Sequence, residues 1–364
     1  MNTTKGGCSV SEPVLEIKHL KTFFYPNGAL GPEMRAVDDL SYTVHEGECV
    51  AIIGESGSGK SVEALSVMRL ISCPPGIIVG GEILYRGQDL LKMSDEEIRH
   101  IRGSKISMIF QEPSTALNPV VTIGKQICET LREHRGMKKK EAMAEAVRLL
   151  ERVNIPNAAE RVKQYPFEFS GGMQQRAMIA MAIACDPDIL IADEPTTALD
   201  VTVQAQVLEE LDRMRKETNT ALILITHNLG VVARYADSVK IVYGGKVVEE
   251  GDPTDVFERP CHPYTLGLIR AVPRLDLPKS SGLSSIEGEP PDMSKIPPNC
   301  CAFAPRCRYA TDICREQRPE LENADPEKPG HRCACFHRDE TQDERLALNE
   351  QNRRSLELQK EVSA

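Results

Sequence analysis

Tryptophan is absent from this 364-residue chain, and aromatic residues make up only 4% of it. Hydrophobic residues still reach 41%, enough for a sizeable core, and the length fits two domains or one large domain with an addition. No stretch approaches the ~18 uninterrupted apolar residues of a membrane span. The opening "MNTTKGGCSVSEPVLEIKHL" lacks the apolar core of an export signal, so the expected location is the cytoplasm. A basic excess is missing too: 44 Lys and Arg stand against 54 Asp and Glu, a net charge of −10. That balance excludes a general nucleic-acid binder, which needs a basic face for the phosphates. The one short basic run, "MKKKEA" at 137–142, reads as the solvated start of a helix.

Strand-like apolar runs alternate with amphipathic segments, the pattern of an α/β protein. "CVAIIG" (49–54), "KISMIF" (105–110), "DILIAD" (188–193) and "TALILIT" (220–226) read as short buried strands. "SVKIVYGGKVVEEG" (238–251) reads as a hairpin turning at Gly244-Gly245. Helices are expected near 60–72, 122–134, 139–153 and 171–184, and from Asp200 to about 217. Residues 111–185 hold several helices in a row and no convincing strand, as a helical insertion in an α/β core would. From about 272 the chain turns rich in Pro, Ser and Gly, which marks a loop or linker. The end from about 340 is polar and reads as a frayed helix or a disordered tail.

The chemistry starts at "GESGSGKS" (54–61), which follows an apolar strand and precedes a helix. That context is what a P-loop requires. Backbone N–H groups of Gly54, Glu55, Ser56, Gly57, Ser58 and Gly59 curl round a phosphate, and the helix N-terminus favours the anion. Lys60 is expected to reach the β- and γ-phosphates, and the Ser61 hydroxyl to bind Mg²⁺. A second apolar strand delivers Asp193 and Glu194 to its carboxyl end, where ligands sit in open α/β sheets. Adjacent acids ending a buried strand are costly unless they serve a cation. Asp193 is expected to hold Mg²⁺ through water, and Glu194 to polarise the attacking water. His227 and Gln111 also follow strand ends, as a sensor of the γ-phosphate and as a ligand for Mg²⁺ or the lytic water.

Six of the twelve cysteines fall at 300, 301, 307, 314, 333 and 335. A reducing compartment disfavours disulfides and raises metal binding or free thiols. Tight C-x-x-C pairs, usual in zinc knuckles, are missing. Iron–sulfur, zinc and unligated thiols all remain open on spacing alone. Cys49 and Cys185 lie in apolar segments and read as small core residues.

Together with "FSGGMQQR" (169–176), these motifs resemble the ATP-binding-cassette (ABC) ATPases over about residues 14–272. Their order matches that family: P-loop, "FQEP", "SGG" signature, "LIADEP", "ALD" and the histidine after the next strand. The resemblance implies a P-loop core with an inserted helical subdomain at about 111–185, and head-to-tail pairing of two cassettes. Ser170, Gly171 and Gly172 would then contact the partner's ATP, Asp200 would lie at the dimer interface, and Phe24 would stack on adenine. The signature departs from L-S-G-G-Q: Met173 stands where Gln is usual, with Gln174 beside it as a partial substitute.

A narrower resemblance, to the D-type ATPase subunits of dipeptide and oligopeptide importers, rests on "FSGGMQQRAMIAMAIACDPDILIADEPTTALDVTVQAQVL" and "CHPYTLGLIRAVPRL". It implies a heterodimer with a paralogous ATPase under two transmembrane permeases, fed by an extracytoplasmic peptide-binding protein. The chain would lie peripherally on the cytoplasmic face of the membrane, without nucleic acid. Importers of nickel or another small solute, a soluble non-transport cassette ATPase and a metal or redox sensor are the competing functions. The same resemblance implies an oligopeptide-importer C-terminal region, the small Cys-rich appendage at 300–337; composition places a linker at 273–299 before it and a polar tail at 338–364 after it. It also implies a [4Fe–4S] cluster on Cys301, Cys307, Cys314 and Cys335, with Zn²⁺ as the alternative and Cys300 and Cys333 as bystanders.

Overall fold

Five-residue runs of aliphatic side chains can be buried on both faces only inside a covered sheet. Three largely aliphatic runs, Cys49–Ile53, Ile189–Asp193 (which ends on a carboxylate) and Ala221–Ile225, are buried at every position in the computed structural model. The structure describes residues 12–26, 32–196, 199, 201–272, 286–324, 330–341, 344–346 and 350. Asp200, residues 273–285 of the expected linker and much of the expected polar tail lie outside them. The strands are β1 (Pro13–Phe24), β2 (Met34–His45), β3 (Cys49–Ile53), β4 (Gly76–Tyr85), β5 (Gln88–Asp89), β6 (Ile106–Ile109), β7 (Ile189–Asp193), β8 (Ala221–Ile225), β9 (Ser238–Tyr243), β10 (Lys246–Gly251), β11 (Glu322–Asn323) and β12 (Arg332–Cys333). Strands β1, β2, β4 and β5 form one sheet in the order β2-β1-β4-β5.

The chain divides into two compact units. The first takes the described residues of Met1–Lys18, Tyr42–Glu48 and Glu82–Leu222. Here β6 pairs in parallel with β7, from Ile106↔Ile189 to Ile109↔Ala192. Ala221, at the start of β8, donates to the Asp188 carbonyl at 2.9 Å. Between β6 and β7 the chain is helical, with Ile123–Arg135, Lys139–Arg152 and Gly171–Ala182 as the long elements and no strand among 111–185. Their apolar stripes meet: Ile123, Ile127 and Leu131 on one helix and Ala142, Ala146 and Leu150 on the next are fully buried. Each large aliphatic side chain so covered contributes about 1.5–3 kcal/mol.

The second unit takes His19–Ser41, Cys49–Gly81 and the described residues of Ile223–Ala364. Its strand order is β11-β12-β10-β9-β3-β8. β3 runs parallel to β9, and β9 turns back antiparallel into β10 through Gly244 and Gly245, both at positive φ (57° and 75°). That is the tight hairpin the Gly-Gly pair requires. The helix begun by the P-loop ends sooner than expected: it spans Lys60–Val67, and Arg69 already has φ 49°. Beyond lie Pro74 and Pro75, which disfavour helix in the residues before them.

The Cys-rich region shares an apolar core with the second unit. β12 pairs antiparallel with β10, with Glu249 opposite Cys333. Phe303, 4% exposed, packs among Tyr243, Tyr264, Ile241 and Val248. Its ring centroid lies 5.1 Å from that of Tyr243 and 5.5 Å from that of Tyr264. The segment is therefore held by strand pairing and aromatic packing.

Candidate functional site

In the second unit β3 ends at Ile53, and the loop Gly54–Gly59 leads into the helix from Lys60. Gly59 has φ 104°, and a side chain there also has no room: a Cβ would lie 2.1 Å from the Ala36 carbonyl oxygen. The loop is pinned from two sides. Gly245 donates to the Ser58 carbonyl at 3.0 Å, and Asp38 donates to the Gly245 carbonyl at 2.9 Å. The Lys60 ammonium crosses the loop to the carbonyls of Gly54 (2.8 Å) and Glu55 (2.9 Å). Ser56 and Gly57 are exposed, and Ser61 is half-buried in the first helical turn. His227 follows the end of β8 and is exposed. Phe24 ends β1 half-buried, with its ring against Gly76.

The first unit holds the other predicted group. Asp193 is the last residue of β7 and 4% exposed. Glu194 follows at φ 45°, and its Oε2 accepts from Gln111 Nε2 at 3.1 Å. The structure thus brings together two residues 83 apart in sequence. Ser170 caps the helix Gly171–Ala182, its hydroxyl accepting from the Met173 N–H at 3.4 Å. Ser170 and Gly171 are exposed, and a Cβ on Gly171 would meet nothing within 4 Å. Gln174 is half-buried, and its amide donates to the carbonyls of Pro166 (2.8 Å) and Phe169 (3.4 Å).

No disulfide joins any of the described cysteines. Burial pushes the Cys301 thiol up to about 11 and Cys335 to about 12; the other thiols of the group add to this at each. Cys335 feels Cys301, Cys307 and Cys314, so these four sulfurs share one neighbourhood. Backbone N–H groups point at three of them: Phe303 and Ala304 at Cys301, Tyr309 and Ala310 at Cys307, His337 at Cys335. Such bonds stabilise a thiolate over a thiol. Cys300 instead donates to the Pro297 carbonyl, and Cys333 lies with Glu249 and Cys261. Tetrahedral zinc at ~2.3 Å from each sulfur would draw its thiolates to about 3.8 Å of one another. Among the described residues, the group of ligand-type atoms within 4.8 Å of one another is a different one, Glu249, Cys261 and His331.

That buried trio was not anticipated, and it is satisfied without a metal. Glu249 is fully buried and accepts from the backbone N–H of Cys261 (2.8 Å) and of His262 (2.9 Å), and lies 2.7 Å from His331 Nε2. Local sequence offers no signal for it, since its members are up to 82 residues apart. His262 is buried too, and its Nδ1 accepts from the Tyr264 N–H at 3.1 Å as the cap of helix Pro263–Ala271. Burial lowers its pKa to about 4, against the pull of Glu249. The folded state therefore keeps His262 neutral while the unfolded chain protonates it below ~6.5. Stability is lost as pH falls from there towards 4, by about 2 kcal/mol at pH 5. Urea unfolding should show this loss in the wild type and a smaller one in His262→Gln; equal slopes would remove His262 as the cause.

Comparison with known proteins gives the family. Residues 37–197 match the ABC transporter family, and residues 248–314 match the C-terminal region of oligopeptide/dipeptide transporters. A putative peptide import ATP-binding protein of Brucella ovis is 48% identical over 332 residues, covering 88% of this chain and 97% of the relative. The oligopeptide transport ATP-binding protein OppD of Salmonella typhimurium is 47% identical, with 89% and 93% covered. The dipeptide transport ATP-binding protein DppD of Bacillus subtilis is 49% identical, with 85% and 90% covered. Among solved structures, the cassette MJ0796, as a post-hydrolysis dimer bound to ADP and Pi, matches with a TM-score of 0.59 and 26% identity over 66% of this chain and 98% of that one. The chain belongs to the ABC transporter family, among the ATP-binding proteins of its oligopeptide and dipeptide branch.

Proposed function

We infer that this chain hydrolyses ATP to power the import of di- or oligopeptides through an ABC transporter. The observation that carries the reading is the presence, in one chain, of a pinned P-loop and the oligopeptide-type C-terminal region. Its partners on this reading are a paralogous ATPase, two permeases and an extracytoplasmic peptide-binding protein. No helix among the described residues is long and apolar enough to cross a membrane. The expected site is the cytoplasmic face of the membrane.

The roles follow from charge. Lys60 and the loop N–H groups hold the phosphates, Glu194 orients and polarises the water, and Gln111 steadies the Glu194 carboxylate. Ser61, Asp193 and Gln111 are the groups that would hold Mg²⁺, which neutralises the phosphates when bound. Asp193 suits that task, because a carboxylate 4% exposed favours a cation beside it. His227 senses the γ-phosphate, and Phe24 stacks on the base. Ser170, Gly171, Gly172 and Asp200 serve the partner's nucleotide. Removing this chain from its host should abolish growth on peptides as the only source of a required amino acid. Restoration by the wild type but not by Glu194→Gln is expected. Loss of nickel uptake with peptide uptake intact would overturn the peptide assignment.

We also propose that Cys301, Cys307, Cys314 and Cys335 hold a [4Fe–4S] cluster. The shared neighbourhood of the four sulfurs, and the N–H groups aimed at three of them, support a thiolate-held cluster there. Protein purified without oxygen should absorb broadly in the visible and carry about four irons and four sulfides per chain, and Cys307→Ser should carry fewer. One zinc per chain and no iron would reverse the assignment.

A further inference from the structure

Glu55 is the one acid in "GESGSGKS", and its polar groups are claimed from three directions. Lys60 donates to its carbonyl at 2.9 Å, and its N–H donates to the Tyr264 hydroxyl at 2.8 Å. Its carboxylate is gripped by Arg306, Nη1 to Oε2 at 2.6 Å and Nη2 to Oε1 at 3.2 Å. Two of these three anchors come from beyond residue 260, inside the stretch that matches the oligopeptide-type C-terminal region. Arg306 is itself fixed. Its side chain is 5% exposed, Nε donates to the Glu287 carbonyl at 3.0 Å, and the guanidinium lies 6.0 Å from the centroids of Tyr243 and Phe303. Both side chains of the pair lie within the second unit. A planar fork on a carboxylate, backed by two rings, is a rigid contact rather than a mobile surface ion pair.

The electrostatic consequence falls on the nucleotide. ATP brings several negative charges to the loop that carries Glu55. A bare carboxylate there opposes them, and one paired to a guanidinium does not. We propose that Arg306 is a positioning residue of the nucleotide site, through which the C-terminal region neutralises Glu55 and holds the P-loop ready for phosphate. This rests on the reading of residues 54–61 as the phosphate site. Here the segment 286–314 takes part, and Arg306 immediately precedes Cys307, so one short segment serves both the loop and the cysteine group.

The test is ATP affinity of the full-length chain, read with a fluorescent ATP analogue at low and high salt. Binding by the wild type checks the phosphate-site reading separately. Arg306→Ala should weaken binding on the order of tenfold, because it strips the counter-charge from Glu55. That deficit should shrink as salt screens the exposed carboxylate. Adding Glu55→Gln to Arg306→Ala should recover most of the affinity, since it removes the charge that Arg306 was covering. Arg306→Lys should fall between, lacking the fork. Wild-type affinity in Arg306→Ala would overturn the proposal. So would a deficit that neither salt nor Glu55→Gln relieves, because that outcome belongs to a residue that only supports folding.

Discussion

Replacing Glu194 with Gln will lower steady-state ATP hydrolysis by about two orders of magnitude or more, and the protein will still bind ATP. The substitution is nearly isosteric. Glu194 is half-buried at φ 45°, and Gln meets the same backbone strain, so the fold has no new reason to fail. The carbonyl oxygen of the introduced amide still accepts from Gln111 Nε2, which now donates at 3.1 Å. What disappears is the negative charge that, in the role proposed for Glu194, draws a proton from water. The expected signature is therefore a split: nucleotide affinity within about threefold of wild type, and retained unhydrolysed ATP. Retention is read by separating protein from free nucleotide after incubation and analysing what stays bound. Turnover within about threefold of wild type would take the base role away from Glu194.

The same pair shows what the sequence could and could not carry. Each of the two residues was legible by itself, because each follows a buried run that reads as a strand without any partner being known. Their hydrogen bond was not, since it spans 83 residues and no local period reports it. The same division runs through the fold. β3, β7 and β8 are buried at every position and announce themselves as apolar pentapeptides. β1, β2 and β4 are harder to read because they mix buried positions with half-buried or exposed ones, as in "VLEIKHLKTFF", where charges interrupt the run. The hairpin at Gly244-Gly245 was legible from its turn chemistry. The cysteine subset was chosen through a family resemblance, and spacing by itself left three outcomes open. Least visible were the contacts that tie the C-terminal region to the second unit's core: Glu249 with His331, Phe303 with Tyr243, Arg306 with Glu55. Each joins residues tens to hundreds apart, and in each the side chain has an ordinary surface or core reading until its partner is seen.

Two glycines of the P-loop separate backbone strain from steric exclusion, and Gly59→Ala should be the far more damaging change. Both have positive φ, 79° at Gly57 and 104° at Gly59, so an alanine is disfavoured at either. At Gly57 that is the whole effect, because a Cβ meets nothing within 4 Å, and the loss should be about 1 kcal/mol. At Gly59 the Cβ would sit 2.1 Å from the Ala36 carbonyl oxygen and 3.3 Å from its carbon. The obstacle is backbone, and it cannot rotate away. It is also fastened, since Asp38, two residues on, donates to Gly245, and Gly245 in turn donates to Ser58. Relief requires moving either the loop or this seam, which adds about 3 kcal/mol or more of overpacking and strain. If the loop moves, the phosphate-facing N–H groups lose their alignment, and ATP affinity falls by more than about a hundredfold. If the seam moves, the urea midpoint falls instead. Affinity and unfolding measured on one preparation capture both routes. Gly59→Ala with wild-type affinity and midpoint, or Gly57→Ala as damaging as Gly59→Ala, would show that contact with Ala36 does not govern this loop.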